Sequence, residues 1–224
     1  MAYKRSALMQ ERLADNRERI VRAARKLIGA GGLREASINA VAAQAGLSTG
    51  ALYRYFPSKA ELFVEVLNDA VRNEVAILDA IVDGEGSAAQ RLRAAVRSFA
   101  ERALEGPHLA YAFIAEPADA EVDAARILCR QQFGNVFKRV LREGIARGEF
   151  PAQALDVSAA CIVGAYTEAL VRPTATQTRR GAGDARLVAE IVEFCARAVG
   201  APLDAGGSGK HHAKTQRTPK RKTA

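Results

Sequence analysis

The sequence predicts an all-α protein. Three observations carry this: apolar residues recur at three- and four-residue spacing in nearly every segment, Ala, Leu, Arg and Glu dominate, and no stretch sustains an alternation of apolar and polar residues. The 224 residues are 49% hydrophobic and 26% charged, ordinary for a globular protein and long enough to bury a sizeable core.

In the first helix Ile20, Ala24, Leu27 and Ile28 form an apolar stripe, and Gly31-Gly32 stops it. Ser37 is a good N-cap for a short second helix with Ile38, Val41, Ala42 and Ala45 on its inner side. Gly46 ends that helix, Leu47 plugs the turn, and Ser48 or Thr49 caps a third helix that Pro57 closes at Phe56. Ser58-Lys59-Ala60-Glu61 reads as a capping box opening a long fourth helix to about Val82. After the turn residues 83–87, further helices are expected at about 87–105, 108–115, 119–147, 154–172 and 184–199, divided by Gly- and Pro-containing breaks. From Gly206 the chain is Gly, Ser, Lys, Thr and Pro without apolar pattern, which reads as a disordered tail.

Charge is unevenly spread. Residues 1–65 hold 11 Lys/Arg against 6 Asp/Glu, residues 66–205 hold 16 against 19, and residues 206–224 hold 6 against none. A basic front and tail around an acidic middle point to an anionic partner at the ends. No segment approaches the roughly 18 apolar residues of a membrane span, and the N-terminus lacks the apolar run of a signal peptide, so no membrane partner and a cytoplasmic location are expected. Cys129, Cys161 and Cys195 have neither zinc nor disulfide spacing and read as small hydrophobes on helix faces.

Ser37 to Phe56 is a helix, a tight glycine turn and a second short helix, the helix-turn-helix arrangement. Ala42 is small where the helices cross, Gly46 can take a positive φ, and Leu47 and Leu52 face inward. The third helix then presents Thr49, Gly50, Tyr53 and Arg54, with Tyr55 beside them, as a face that could enter a major groove.

Gly46-Leu47-Ser48-Thr49-Gly50-Ala51-Leu52-Tyr53-Arg54-Tyr55-Phe56-Pro57-Ser58-Lys59-Ala60-Glu61-Leu62-Phe63 is the specific piece. From about Arg17 to Leu67 the sequence resembles the DNA-binding domain of TetR/AcrR-type bacterial transcriptional regulators. The resemblance implies a basic N-terminal arm (1–15), a helix-turn-helix DNA-binding domain (16–67, motif 37–56) and a helical regulatory and dimerisation domain (68–203), followed by the basic tail (204–224). It further implies a homodimer on a double-stranded, palindromic DNA operator, most simply a repressor released by an unknown, largely apolar small-molecule effector.

Carried over by position, the resemblance puts Ser37 and nearby N–H groups at a phosphate and Asn39 at the backbone or a base edge. Ser48, Thr49 and Gly50 stand at the start of the recognition helix, with Gly50 permitting close approach. Tyr53, Tyr55 and Lys59 would hold phosphates, and Arg54 is the candidate for reading guanine. Plainer readings exist: packing aromatics for Tyr53 and Tyr55, a solvated charge for Arg54 or Lys59. Lys4, Arg5, Arg12 and Arg17 could follow the backbone or simply extend a helix.

In the second unit the family likeness implies a ligand pocket. Its candidates are Phe99, His108, Tyr111, Phe113, Phe133, Phe137, Tyr166 and Glu168, an apolar wall with a few polar handles, although aromatics at helical spacing are more often plain core. Ala160, Val163, Gly164, Leu187, Ile191 and Phe194 would form a four-helix dimer interface, unless those helices are internal. No metal spacing, catalytic grouping or phosphate loop is present, so no cofactor, metal site or enzyme activity is expected; His211-His212 is too isolated for a metal. The alternative to a ligand-controlled regulator is a helical DNA-binding or architectural protein without small-molecule input.

Overall fold

The computed structural model describes residues 2–176 and 182–202. Among them are nine helices and no strand: α1 (Ala2–Gly31), α2 (Ile38–Gln44), α3 (Thr49–Tyr53), α4 (Lys59–Val82), α5 (Ala88–Glu105), α6 (Pro107–Ile114), α7 (Ala120–Ala146), α8 (Leu155–Ala175) and α9 (Ala182–Ala198). The tail read from 204 onward, including His211-His212, lies outside the described residues, as do residues 177–181 of the expected break before α9. No helix among the described residues is long and apolar enough to cross a membrane.

Serine caps set the starts of four helices. Ser37, Ser48, Ser58 and Ser87 each accept a hydrogen bond from the backbone N–H three residues on, at 3.0–3.2 Å. Of the two caps considered for α3, Ser48 is the one used. A full reciprocal box forms at Ser87, where Gln90 Oε1 accepts from the Ser87 N–H at 3.0 Å. The sequence reading treats that stretch as turn chemistry alone.

Three helix bounds differ from expectation. α3 ends at Tyr53 with Arg54 as its C-cap, three residues short of Phe56. α1 begins at Ala2, so residues 2–15 are the first turns of one long helix. α8 continues through Pro173 to Ala175 instead of stopping at Arg172. Proline removes the N–H that would meet the Ala169 carbonyl, while Thr174 Oγ1 and Thr176 Oγ1 add bonds of their own to the Leu170 and Arg172 carbonyls at 2.7 and 3.1 Å. Leu170 and Thr174 are also fully buried, and that packing outweighs a proline penalty of about 3 kcal/mol.

Two hydrophobic clusters organise the chain. The first joins Ile20 and Ile28 of α1, Val41 of α2, Leu52 and Phe56, and Leu62 and Val66 of α4. It is closed from the far side by Ala112 of α6 and Val122 of α7. The second packs Leu78, Leu92, Val96, Phe137, Leu141, Ile162, Tyr166, Leu170 and Val192 between α4, α5, α7, α8 and α9. α4 and α7 contribute to both and link them. Cys129 and Cys195 belong to the second cluster, where burial pushes both thiols up to about 11; Cys161 is exposed.

Gly46 has φ +65°, and the turn closes with Leu47 N–H donating to the Ala42 carbonyl at 2.9 Å. An alanine there finds open space but keeps the left-handed backbone. Gly46→Ala is therefore expected to cost about 1–2 kcal/mol in urea unfolding; a neutral result would show that the turn does not need its φ.

Candidate nucleic-acid interface and internal cavity

α2 and α3 are held at a fixed angle by Val41, Ala42 and Leu52, all buried, so the residues between these positions face outward. On that outer side Thr49 Oγ1 donates to Asn39 Oδ1 at 3.0 Å, which joins the two helices and leaves the Asn39 amide N–H groups for an outside acceptor. Ser37 and Ser48 spend their hydroxyl oxygens on capping and can still donate an O–H. Tyr53 is 47% exposed, an unusual state for a large aromatic side chain, and Arg54 is exposed at the α3 C-cap. Gly50 is exposed too, and a Cβ built on it meets nothing within 4 Å. Among the described residues nothing requires a glycine there.

Two other predicted contacts sit differently. Tyr55 is half-buried against the first core, and its hydroxyl accepts from Asn16 Nδ2 at 2.9 Å. It does not share the outward face of Tyr53. Lys59, the first residue of α4, is half-buried with Nζ 5.0 Å from the centre of the Phe63 ring. In the N-terminal arm, Arg17 pairs with Glu65 at 2.9 Å and lies over the Phe56 ring at 4.8 Å. The Arg17 hydrogen bond, the largest influence on Glu65, holds that carboxyl below its ordinary range.

A cavity of about 320 Å³ lies between α1, α4, α5, α6, α7 and α8. Leu67, Val71, Phe99, Phe113 and Phe133 form its apolar wall; Arg25, Glu74, Arg102, Glu105, Arg126, Arg130 and Thr167 are its polar groups. Phe99 and Phe133 meet edge to face at 5.6 Å. Arg102 is engaged by both carboxylate oxygens of Glu74, one at 3.1 Å. Of the predicted lining, Phe99, Phe113 and Phe133 are in the wall. Phe137 and Tyr166 are fully buried behind it, the Tyr166 ring tilted against Phe99 at 4.5 Å and its hydroxyl without a partner among the described residues. Burial raises that hydroxyl well above its ordinary range, and the Glu74 charge adds to the effect. His108 is half-buried at the start of α6 with Nδ1 unbonded, Tyr111 faces a separate recess beside Glu116, and Glu168 is exposed on α8. Those five do not line the cavity, because helical spacing does not say which side of a buried helix meets the void.

The cavity wall is bonded to the end of α1. Arg126 donates to the backbone carbonyls of Ala112 and Glu116, the latter at 2.7 Å. The Glu116 carboxylate in turn accepts the Leu33 N–H at 3.0 and 3.2 Å. Gly32, at φ +80°, lets the carboxylate come this close, since a Cβ there would stand 2.8 Å from Glu116 Oε2.

On α8, Ala160, Cys161, Gly164, Glu168 and Ala169 are exposed, a face of mostly small residues. Phe194 of α9 is 56% exposed and Leu187 is partly buried. Val163 and Ile191, expected on the same outer surface, are instead buried in the chain's own core.

Residues 20–66 match the family described as bacterial regulatory proteins, tetR family, and residues 85–170 match the tetracyclin repressor-like C-terminal domain. The chain belongs to the TetR family. It is a helix-turn-helix, DNA-binding transcriptional regulator. It is 30% identical over 145 residues to the HTH-type transcriptional repressor KstR of Mycolicibacterium smegmatis, covering 62% of this chain and 69% of that one. It is 26% identical over 151 residues to the nucleoid occlusion factor SlmA of a Marinomonas species, covering 66% and 77%. The fold is that of the transcriptional regulator FadR from Bacillus subtilis, solved with stearoyl-CoA, with a TM-score of 0.70 at 17% identity over 81% of this chain and 98% of that one.

Within this TetR-family fold, several lining residues were hidden from sequence reasoning: Arg25, Glu74, Arg102, Arg126, Cys129, Arg130 and Thr167. Each arginine sits in a helix whose polar side passes for a solvated face. The one available signal was Arg126, which falls in register with Val122 and Cys129, both buried on α7.

Proposed function

We propose that the protein is a homodimeric repressor that binds a palindromic operator through α3 and leaves it when a compact, largely apolar effector occupies the cavity. The observation that carries this reading is the bonded path from the cavity wall, through Arg126 and Glu116, to the Leu33 N–H at the end of α1. An occupant that shifts α6 and α7 also shifts the helix that seats the DNA-binding core, and an effector preferring one arrangement biases the equilibrium between them. Ser37, Asn39, Ser48, Thr49, Gly50, Tyr53 and Arg54 are the proposed DNA contacts, with Lys59 and Tyr55 reaching phosphates at the margin. FadR's complex with stearoyl-CoA supports an effector with an apolar body.

Two copies of α3 reading half-sites about 34–36 Å apart require a dimer. The outward face of α8 and α9, centred on Gly164 and Phe194, is the proposed contact. A Cβ at Gly164 meets nothing within 4 Å, so Gly164→Arg should fold normally. We expect it to sediment as a monomer and to lose operator binding; an unchanged dimer would place the interface elsewhere.

Selection from a random duplex pool with the full chain, at a stated salt concentration, tests the whole reading. Enrichment of a palindrome is the expected result. Salt-sensitive binding without an enriched site would favour a helical DNA-binding or architectural protein without small-molecule input, a reading to which the likeness to a nucleoid occlusion factor points only weakly.

A further inference from the structure

The cavity is apolar on one side and cationic on the other. Four arginines line it (Arg25, Arg102, Arg126 and Arg130) against two carboxylates, Glu74 and Glu105. Much of that charge is committed inside the protein. Arg102 faces Glu74, and Arg25 faces Asp69 at 3.3 Å. Arg126 spends Nη1 on Asp123 and Nη2 on the carbonyls of Ala112 and Glu116.

Two donors are left over, both on α7. Arg126 is only 6% exposed, yet its Nε–H is buried with no acceptor. Buried N–H groups are paired in the great majority of cases, and the hydrogen bonds of charged groups are the costliest to leave unmade. Arg130 stands one turn further along the same helix face and bonds no carboxylate among the described residues. Between them on the wall, Cys129 is held as a neutral thiol by burial and offers no competing negative charge.

Resting on the reading of this cavity as the effector site, we propose that the effector is a compact monoanion. Its carboxylate, or an anion of similar size, sits by Arg126 and Arg130, and its apolar body lies against Phe99, Phe113 and Phe133. The volume of about 320 Å³ falls at the small end of ligand sites, which run from roughly 300 to 1,000 Å³. The edge-to-face pair of Phe99 and Phe133 suits a flat ring or a short acyl chain. An anion gains a charge-assisted bond that a neutral analogue of the same shape lacks. Arg130 is exposed, and screened pairs of that kind contribute up to about 1 kcal/mol, or roughly fivefold in affinity.

Calorimetric titration of the full chain with 2-naphthoate and 2-naphthamide, which share body and head shape, tests the proposal. Naphthoate should bind about fivefold tighter, with the margin shrinking as salt rises. Arg130→Gln should bring the two within about twofold, chiefly by weakening naphthoate, while naphthamide loses no more than about twofold. Ala103→Leu, or Thr167→Leu should the first variant not fold, extends the wall into the void and should abolish both. Equal affinities that vanish in the filled variant would overturn the anion and keep the cavity as the effector site. A naphthoate preference that survives Arg130→Gln would likewise overturn the proposed seat of the anion. Binding that persists in the filled variant, or no binding of either compound, would overturn both the proposal and the cavity reading.

Discussion

Arg54→Ala is expected to weaken operator binding by about 1–3 kcal/mol and to relax preference at one base pair in each half-site, while binding to random duplex falls much less. The exposed guanidinium at the end of α3 makes no hydrogen bond or ion pair among the described residues, so its loss should leave the fold intact. Arg54→Lys separates charge from shape: it keeps a cation for phosphate but loses the fork that matches the two acceptors of guanine. Equal losses on operator and random DNA for the alanine variant would reduce Arg54 to a phosphate contact. Gly50→Ala is the companion measurement. With open space around the new methyl, helix propensity should raise stability by about 0.5–1 kcal/mol. Operator affinity should nonetheless fall under the proposed function, in which Gly50 permits close approach to DNA. A variant both more stable and equally tight on DNA would remove Gly50 from the interface.

Glu116→Ala should loosen the contact between the two cores. It strips the acceptor from the Leu33 N–H, which sits in a residue only 6% exposed, and an unsatisfied buried donor costs about 1–3 kcal/mol. Glu116→Gln retains a carbonyl oxygen in the same place and should recover most of that loss. The Leu33 amide reports the contact directly: its hydrogen exchange should accelerate in the alanine variant and stay slow with glutamine. If alanine leaves both stability and exchange unchanged, the contact carries no load and the path from cavity to α1 must run elsewhere. If it carries the load, the operator release produced by a cavity ligand should weaken in the same variant, since the two cores then move with less mutual constraint.

Local chemistry explains why so much was legible. Serine caps act on N–H groups three residues away, Gly46 acts on its own φ, and apolar stripes repeat within one helix, so each can be read from a short window. The Leu-Tyr-x-Tyr-Phe run with its flanking turns identifies the family for the same reason. Local rules failed where packing opposed them. Pro173 should end α8, but the buried Leu170 and Thr174 keep it helical. Val163 and Ile191 belong to apolar helices that have two apolar sides, and spacing alone did not say which side is covered by the chain itself.

The sequence by itself determined an all-helical chain, the order and nearly all the bounds of its helices, and a helix-turn-helix of the TetR type. Tertiary structure alone decided which aromatics face the void and which lie behind it. It also turned Tyr55 inward to Asn16 and set Arg102 against Glu74 and Glu116 against Leu33, partners 28 and 83 residues apart. Helix formation depends on neighbours within a turn or two, whereas a cavity and its bonded wall depend on how separate helices come to rest against one another.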